Sequence, residues 1–508
     1  MPRKPKPKNA LSAGERVALY NAEQEEKMKR LSPVTEEASS KAEKGEEARA
    51  RATVRPKSKI NLKKPERATV RVDLSVKTGE IRALNGMCNG PVSYGVDVSG
   101  LFRDMGVGFV RFDGADTAIS SLAVDVSKIF KDINSDPGNP ENYDFSLTDK
   151  YVKAACDLGA EVIFRLGESI DLLGERDAPS LPENFDAYTR ACVNIVKHYN
   201  GCFAEKFACR IKYFDILCYN PEEDASRQFE LYGRIANAVK TFDEEIRVGG
   251  MSFGENVTGE FLRYCKKNSV PLDFLSLDCF APDVEYAAER VDRCVAQMKN
   301  LGFHDTKIIL GKWSYIDSES LAGKDFESVV GDKKISDEKR KLFESQGSVK
   351  GAAFASSLMI RLNSVETVLA SCFYDAQPMI SPWCAISDRF GAPKKPYFAL
   401  KAFGELRKAK NEVLCVSEQT EGYSHTGIYA AAAVDDNGEA YILISSFKGC
   451  GTVDIRVEGI SDKLYTADVY ILDGVKDMSL GDSVALSGMK KRFVLNMSEY
   501  GAVMIKLY

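Results

Sequence analysis

The sequence repeats one unit along most of its length: a short apolar, β-branched run, then a longer stretch with helical periodicity. The clearest run is Thr306-Lys307-Ile308-Ile309-Leu310-Gly311-Lys312-Trp313. Its apolar part suffices for one buried strand and is too short for a helix, and Gly311 reads as its end. Candidate strands of this kind are Gly86–Cys88, Gly108–Phe112, Glu161–Leu166, Ile211–Cys218, Arg247–Met251, Pro271–Leu277, Lys307–Leu310 and Val365–Phe373. Helical segments fall between most of them: Tyr143–Leu158, Phe185–Tyr199, Ala225–Phe242, Thr258–Asn268, Val284–Leu301 and Gly347–Leu362, with Tyr397–Ala409 closing the series. Strand–helix alternation on this scale predicts an α/β fold, a (β/α)8 TIM barrel over residues 86–410. In such a barrel the residue just past each strand faces the mouth, which is where Lys312 is expected.

Both chain ends read differently. Residues 1–65 are rich in Lys, Arg, Glu, Pro and Ala, too polar to bury a core, and are expected to form a charged, mostly basic arm. Within it, Ser12 to Glu15 has capping-box spacing, and Val17, Tyr20, Met28 and Leu31 share one helical face. The arm is therefore a candidate for docking a protein partner. It has no aromatic interleaving or dense basic cluster that would signal nucleic acid. Residues 66–85 alternate (Val70, Val72, Leu74, Val76) and read as a strand whose partner is the C-terminal region. From 413 to 508 come short strands without helices: Ile428–Val434, Ala440–Ser446, Thr452–Val457, Thr466–Leu472, Arg492–Asn496 and Ala502–Leu507. Asp436-Asn437-Gly438 marks a hairpin between the first two. These strands, with the one near residue 70, predict an antiparallel β-sandwich built from both chain ends.

Composition narrows the chemistry. A net charge of −5 and 28% charged residues are ordinary for a soluble protein, and no apolar run approaches the ~20 residues that span a bilayer. The N-terminus lacks the apolar segment of a secretory signal, and the 13 cysteines are dispersed without CxxC spacing. The expectation is a cytoplasmic protein with reduced thiols and neither a disulfide framework nor a zinc site. The three histidines, His198, His304 and His425, do not follow barrel strands, so His-based nucleophilic or metal chemistry is not expected. No cofactor or metal is expected; carboxylates or a lysine must carry any reaction.

Several motifs occur in an order that resembles the family-39 glycoside hydrolases, the β-xylosidase and α-L-iduronidase group. Gly106-Val107-Gly108-Phe109-Val110-Arg111-Phe112 is similar to that family's second barrel strand. Tyr143-Asp144-Phe145-Ser146-Leu147-Thr148-Asp149 resembles its YDFSxxD segment, and Gly391-Ala392-Pro393-Lys394-Lys395-Pro396-Tyr397 the stretch before its last helix. The resemblance covers about 70–508. It implies a barrel flanked by a sandwich, a carbohydrate ligand, and a retaining mechanism with two glutamates about 5–5.5 Å apart. The family's acid/base ends the fourth strand in an IWNEP motif, and its nucleophile ends the seventh in TEW.

This chain departs from the pattern at both places. The fourth strand reads Phe214-Asp215-Ile216-Leu217-Cys218-Tyr219-Asn220-Pro221, putting Tyr219 at the acid/base position. The seventh reads Gly311-Lys312-Trp313, putting Lys312 at the nucleophile position. A one-residue gap would instead match Asn220 to the family's asparagine and bring Glu222 or Glu223 near the acid position; it leaves Lys312 unchanged. An ammonium has no lone pair for attack and repels an oxocarbenium-like transition state. A phenol with pKa near 10 donates its proton poorly. The expectation is a pseudo-glycosidase that binds a sugar, with Lys312 inclined towards anionic ones. The alternative is an active glycosidase that has recruited other carboxylates, Glu168 with Glu222 or Asp278. Further candidate ligand contacts are Asp113, Asn220, Asp278 and Asp375 at strand ends, and the two tryptophans, Trp313 and Trp383, as sugar platforms or core filler. An ion pair between Lys312 and one of the rim carboxylates is the simplest fate for the lysine.

Overall fold

The computed structural model describes residues 67–508 apart from 94–95, 114–123, 170–179, 205–206, 208, 218–219, 221–222, 251–254, 325–328, 330–335, 378–383, 419–425, 450, 462 and 489–490. The N-terminal arm, with its candidate helix, lies outside the described residues. So do Tyr219, Glu222, Trp383 and His425.

Eight parallel strands close into a barrel: β2 (Gly86–Cys88), β5 (Phe109–Phe112), β6 (Glu161–Leu166), β7 (Tyr213–Ile216), β8 (Arg247–Gly250), β9 (Phe274–Ala281), β10 (Lys307–Tyr315) and β11 (Val368–Phe373). β1 (Arg67–Glu80) precedes them, and a small hairpin of β3 (Val92–Ser93) and β4 (Val96–Asp97) follows β2. A helix follows each barrel strand. The first, α1 (Ser99–Met105), went unread in the sequence because it is only two turns long. Longer helices begin where polar side chains cap them: Asn184, Asp224 and Asp283 accept from the backbone N–H groups of Ala187, Arg227 and Tyr286. Each cap is worth about 1 kcal/mol.

Alternation along the strands builds two layers. Outward residues such as Val110, Phe164, Phe214 and Leu310 pack against the helices in the main core. Inward residues Phe109, Ile163, Tyr213, Phe274, Ile309, Ala370 and Cys372 form a separate apolar cluster that fills the barrel base. β8 contributes only Gly249 there. A Cβ at that position would lie 2.1 Å from the Phe274 carbonyl oxygen and 2.5 Å from its ring, so the missing side chain makes room for both the β9 backbone and the ring.

The second sheet has nine strands in the order β17-β16-β19-β14-β13-β12-β1-β15-β18. β12 is Asn411–Glu418, β13 Ile428–Val434, β14 Ala440–Phe447, β15 Thr452–Glu458, β16 Tyr465–Leu472, β17 Asp477–Leu486, β18 Arg492–Asn496 and β19 Tyr500–Leu507. It is antiparallel throughout except where β1 runs parallel to β15. Residues from both ends of the sheet meet in one apolar cluster, so the sheet curls round its own core. β12 and β17 were not foreseen. β17 is a largely exposed edge strand whose alternation (Met478, Leu480, Val484, Leu486) is broken at Gly481-Asp482, where its register shifts against β16.

Two expectations are corrected. Gly311 does not end its strand: β10 runs on to Tyr315, so Lys312 lies within the strand, not after it. The cysteines are not all thiols, because Cys156 at the end of α3 (Thr148–Cys156) is bonded to Cys209 in the loop before β7. The nine other described cysteines are free, seven of them buried. No described helix is long and apolar enough to cross a membrane.

Candidate functional site

Above the apolar base of the barrel lies a layer of charge. Period-2 alternation places Arg111 on β5, Arg165 on β6, Asp215 on β7 and Ser276 on β9 inward, one step past Phe109, Ile163, Tyr213 and Phe274. Lys312 joins them through a fault in the pairing. The register of β10 shifts against both β9 and β11 around Gly311. Without that bulge Lys312 would share the outward face of Leu310. With it, Lys312 turns inward and Trp313 turns out.

The layer is a continuous ion-paired network. Arg111 donates from Nε to Asp215 Oδ2 at 2.7 Å, and its Nη2 and Nη1 form ion pairs with that same oxygen at 2.7 Å and with Asp113 Oδ1 at 3.0 Å. Ser276 Oγ donates to the same Asp215 oxygen at 2.8 Å. Arg165 pairs with Asp113 Oδ1 at 3.1 Å and with Asp125, which also accepts from the backbone N–H and hydroxyl of Ser169. Lys312 Nζ takes the second oxygen of Asp113. Lys312 is 3% exposed and Asp113 2%. Charges this deep persist only when paired. Burial and the nearby Arg111 guanidinium pull Lys312 down to about 8, against smaller upward effects from Cys88 and Asp375. Its ammonium stands 5.7 Å from the centre of the Tyr374 ring.

Asn89 extends the network. Its Oδ1 accepts from the backbone N–H of Asp113 at 3.2 Å, and its Nδ2 donates to Asp375 Oδ1 at the same distance. Asp375 also accepts from the backbone N–H groups of Ala376 and Gln377. Asp278 sits beside Lys312 in the pairing of β9 with β10 and is partly exposed. Asn220 is held by its backbone, which exchanges two hydrogen bonds with the Gln228 side chain on α5 (Ala225–Phe242).

Glu168, just past β6, accepts from the Ser127 backbone N–H at 3.0 Å, the Ser127 hydroxyl at 2.6 Å and the Tyr188 hydroxyl at 3.2 Å. Burial first, and then the charge of Asp125, hold its carboxyl above the ordinary glutamate range.

Of the residues singled out in the sequence, Asp113, Lys312 and Asp375 are brought together through Asn89. Trp313 is wholly buried on the helix side, its ring 4.9 Å from Phe373 and 6.2 Å from Phe354. Of its two possible uses, these surroundings are those of core filler. The Tyr143–Asp149 motif lies away from the barrel interior. Phe145 stacks on His198 at 3.6 Å and Asp149 bonds to His198 Nε2 at 3.0 Å, fastening α3 to α4 (Phe185–Asn200). Arg111, Arg165, Asp125 and Asp215 were not picked out as site residues. The signal was present for three of them: a lone charge inside an apolar strand (Phe-Val-Arg-Phe, Ile-Phe-Arg-Leu, Phe-Asp-Ile) must point into the barrel. Asp125 lies outside any strand and gave none.

A charged layer at the strand ends of a barrel, backed by a curled second sheet, can be compared with known proteins. Residues 217–307 match glycosyl hydrolases family 39. The match takes in Asn220 and Asp278 and stops before Lys312. No curated protein sequence matches the chain. Among solved structures, a glucosidase from Croceicoccus marinus is similar with a TM-score of 0.67, covering 87% of this chain and 98% of its own at 19% identity. A monomeric beta-xylosidase from Caulobacter crescentus CB15 gives 0.58, 86% and 99%, at 15% identity. A family-51 alpha-L-arabinofuranosidase from Thermotoga petrophila gives 0.60, 87% and 100%, at 14%. At such identities these likenesses concern the fold.

Proposed function

We propose that this chain is a family-39-like protein that binds a glycoside or glycan in the barrel mouth and has lost retaining hydrolysis. One observation carries the reading: Lys312, to which the sequence resemblance gives the place of the family's nucleophile, is a buried ammonium ion-paired to Asp113. A retaining site needs a free carboxylate on one side of the anomeric carbon and a proton donor on the other. Here the nearest carboxylate to Lys312 is occupied by three cations, Arg111, Arg165 and Lys312 itself. A carboxylate so engaged is a poor nucleophile, and the cation beside it opposes positive charge developing on a sugar ring. Because Asp113 answers the charge of Lys312, the lysine gives no reason to prefer an anionic sugar, and the ligand class that fits is a neutral glycoside.

Calorimetry with xylose-type and uronic-acid-type sugars, run beside aryl-glycoside hydrolysis, tests this. Binding of neutral sugars without turnover is the expected result. Turnover abolished by Glu168→Gln would overturn it.

A second reading is favoured by Glu168, whose carboxyl is held in the protonated direction beside the barrel mouth, as a general acid requires. In this reading the chain is an active glycosidase, with Glu168 as proton donor and Glu222 or Asp278 as base; an inverting mechanism requires such a pair to stand about 6.5–9.5 Å apart. The Glu168→Gln hydrolysis assay separates the two.

A further inference from the structure

One cation of the network differs in kind from the other two. Arg111 and Arg165 each pair with two carboxylates, Asp113 together with Asp215 or Asp125, whereas Lys312 meets Asp113 at a single oxygen. Lysine differs from arginine in that it gives up its proton readily once desolvated, and the free amine is a nucleophile.

We propose that Lys312 captures the open-chain aldehyde of a reducing sugar as a reversible imine, with Asp113 as the proton relay. The inference rests on the sugar-binding reading above. Three features of the geometry carry it. The amine is enclosed in the charged layer at the mouth end of β10, turned inward by the bulge at Gly311. A carboxylate oxygen is in contact with it, and that carboxylate is locked through its other oxygen to Arg111 at 3.0 Å and Arg165 at 3.1 Å. The adjoining guanidinium of Arg111 further discourages a second positive charge, an arrangement known to activate lysines. The depressed lysine, at about 8, is consistent with this: at pH 7 it holds on the order of a hundredfold more free amine than a solvated lysine.

The step balances without an added oxidant or reductant. Lys312 gives one proton to Asp113, and the Nζ lone pair forms a bond to the aldehyde carbon. The carbonyl electron pair moves onto oxygen, which is protonated from Asp113 to give a carbinolamine. Loss of the second N–H proton and of the hydroxyl as water leaves the C=N bond.

The test uses the full-length wild-type chain at pH 7, incubated with xylose or with methyl β-xyloside, which has no open-chain aldehyde. Sodium borohydride is then added and adducts are located by peptide mass spectrometry. The expected result is a single reduced-pentose adduct on Lys312 with xylose and none with the methyl glycoside, at least tenfold above any other side-chain lysine (a margin set about ten times inside that amine advantage). The N-terminal amine serves as an internal positive control. Calorimetric binding of both sugars with no adduct on Lys312 overturns the imine and leaves the sugar-binding reading standing. Adducts spread evenly over surface lysines overturn it in the same way. No binding of either sugar and no adduct removes both proposals. Lys312→Arg, which keeps a cation for Asp113, is expected to yield no reduced-pentose adduct with xylose at this position or on any other side chain; an unchanged adduct pattern would also reject the assignment.

Discussion

Lys312 and Asp113 meet inside the barrel from β10 and the end of β5, with β11 and β2 between their strands, and both are almost wholly buried. Neither is stable there alone, but the two are not equivalent. Asp113 keeps Arg111 and Arg165 if Lys312 is lost, whereas Lys312 has no other carboxylate in contact among the described residues if Asp113 is lost.

The two substitutions should therefore differ in severity. Asp113→Asn strands a buried ammonium and loosens two guanidiniums, so a loss of about 3–5 kcal/mol is expected. Lys312→Met removes one of three partners of a carboxylate that remains paired, and about 1–2 kcal/mol is expected. Urea unfolding of the two variants measures the ranking. A larger loss for Lys312→Met would mean that the lysine, not the aspartate, is the hub.

The same pair predicts a pH dependence. Lys312 falls from an ordinary 10.5 to about 8 on folding. Between those values the unfolded chain holds a proton that the native state has released, so stability attributable to this group rises with pH across that window. Below about 8 both states are protonated and the contribution is flat. The gain approaches roughly 3 kcal/mol in full. Buried tyrosines that destabilise the fold above pH 10 are common to both proteins, so the difference between wild type and Lys312→Met isolates the lysine. A difference that stays level from pH 7.5 to 9.5 would show that Lys312 keeps its proton.

The fold was legible because its signals are local. An apolar run of strand length followed by an amphipathic helix announces each barrel unit, and most observed bounds lie within a few residues of those read from the sequence. The site was legible in residue type but not in direction. Lys312 was noticed because it follows an apolar run, yet its inward aim depends on a bulge that no propensity encodes. The same bulge sends Trp313 into the helix layer. Asp113 was one of four carboxylates available to the lysine, and only the closure of the barrel, which brings β5 towards β10, selects it. The Cys156–Cys209 bond was missed for a related reason: dispersed cysteines carry no spacing motif, and their meeting depends on how α3 packs beside the loop before β7.

Glu168 offers an independent check on protonation. Its carboxyl is raised on folding, so the native state holds a proton that the unfolded chain has lost, over a window starting near 4.5. Its contribution is complete below the unfolded value and fades as pH rises through the folded one. Glu168→Gln, a mimic of the neutral acid, should match wild type near pH 4 and become relatively more stable as pH rises past 5. Chemical denaturation at several pH values reads this directly; a variant that loses ground with rising pH would show that the native carboxyl is ionised.

The disulfide spans 53 residues that include β6 and α4. Closing a loop of that size should stabilise the fold by about 2–4 kcal/mol through the unfolded chain. Dithiothreitol is expected to lower the unfolding midpoint of wild type to that of the Cys156→Ser/Cys209→Ser variant and to leave the variant unchanged. Equal midpoints with and without reductant would show that the bond does not form.

Gly311 is where fold and site constrain each other most tightly. Its φ is not in the left-handed region, so alanine is allowed by the backbone. Replacing glycine inside a strand would ordinarily gain about 0.5–1 kcal/mol from a stiffer unfolded chain. Against that, a Cβ at 311 would lie 3.0 Å from both Cζ and Nε of Arg111. Relief needs a shift of a few tenths of an ångström, which a free arginine would supply easily. Arg111 is not free: its three nitrogens are committed to Asp215 and Asp113 at 2.7 to 3.0 Å, and it is 1% exposed. Overpacking against a fixed group typically costs about 1–3 kcal/mol, which outweighs the entropic gain. Gly311→Ala should therefore be destabilising by about 1–2 kcal/mol and, by displacing Arg111 from Asp113, should shift the pH window assigned to Lys312. A neutral or stabilising Gly311→Ala would mean that Arg111 yields, and that the network around Lys312 is held less firmly than its distances imply.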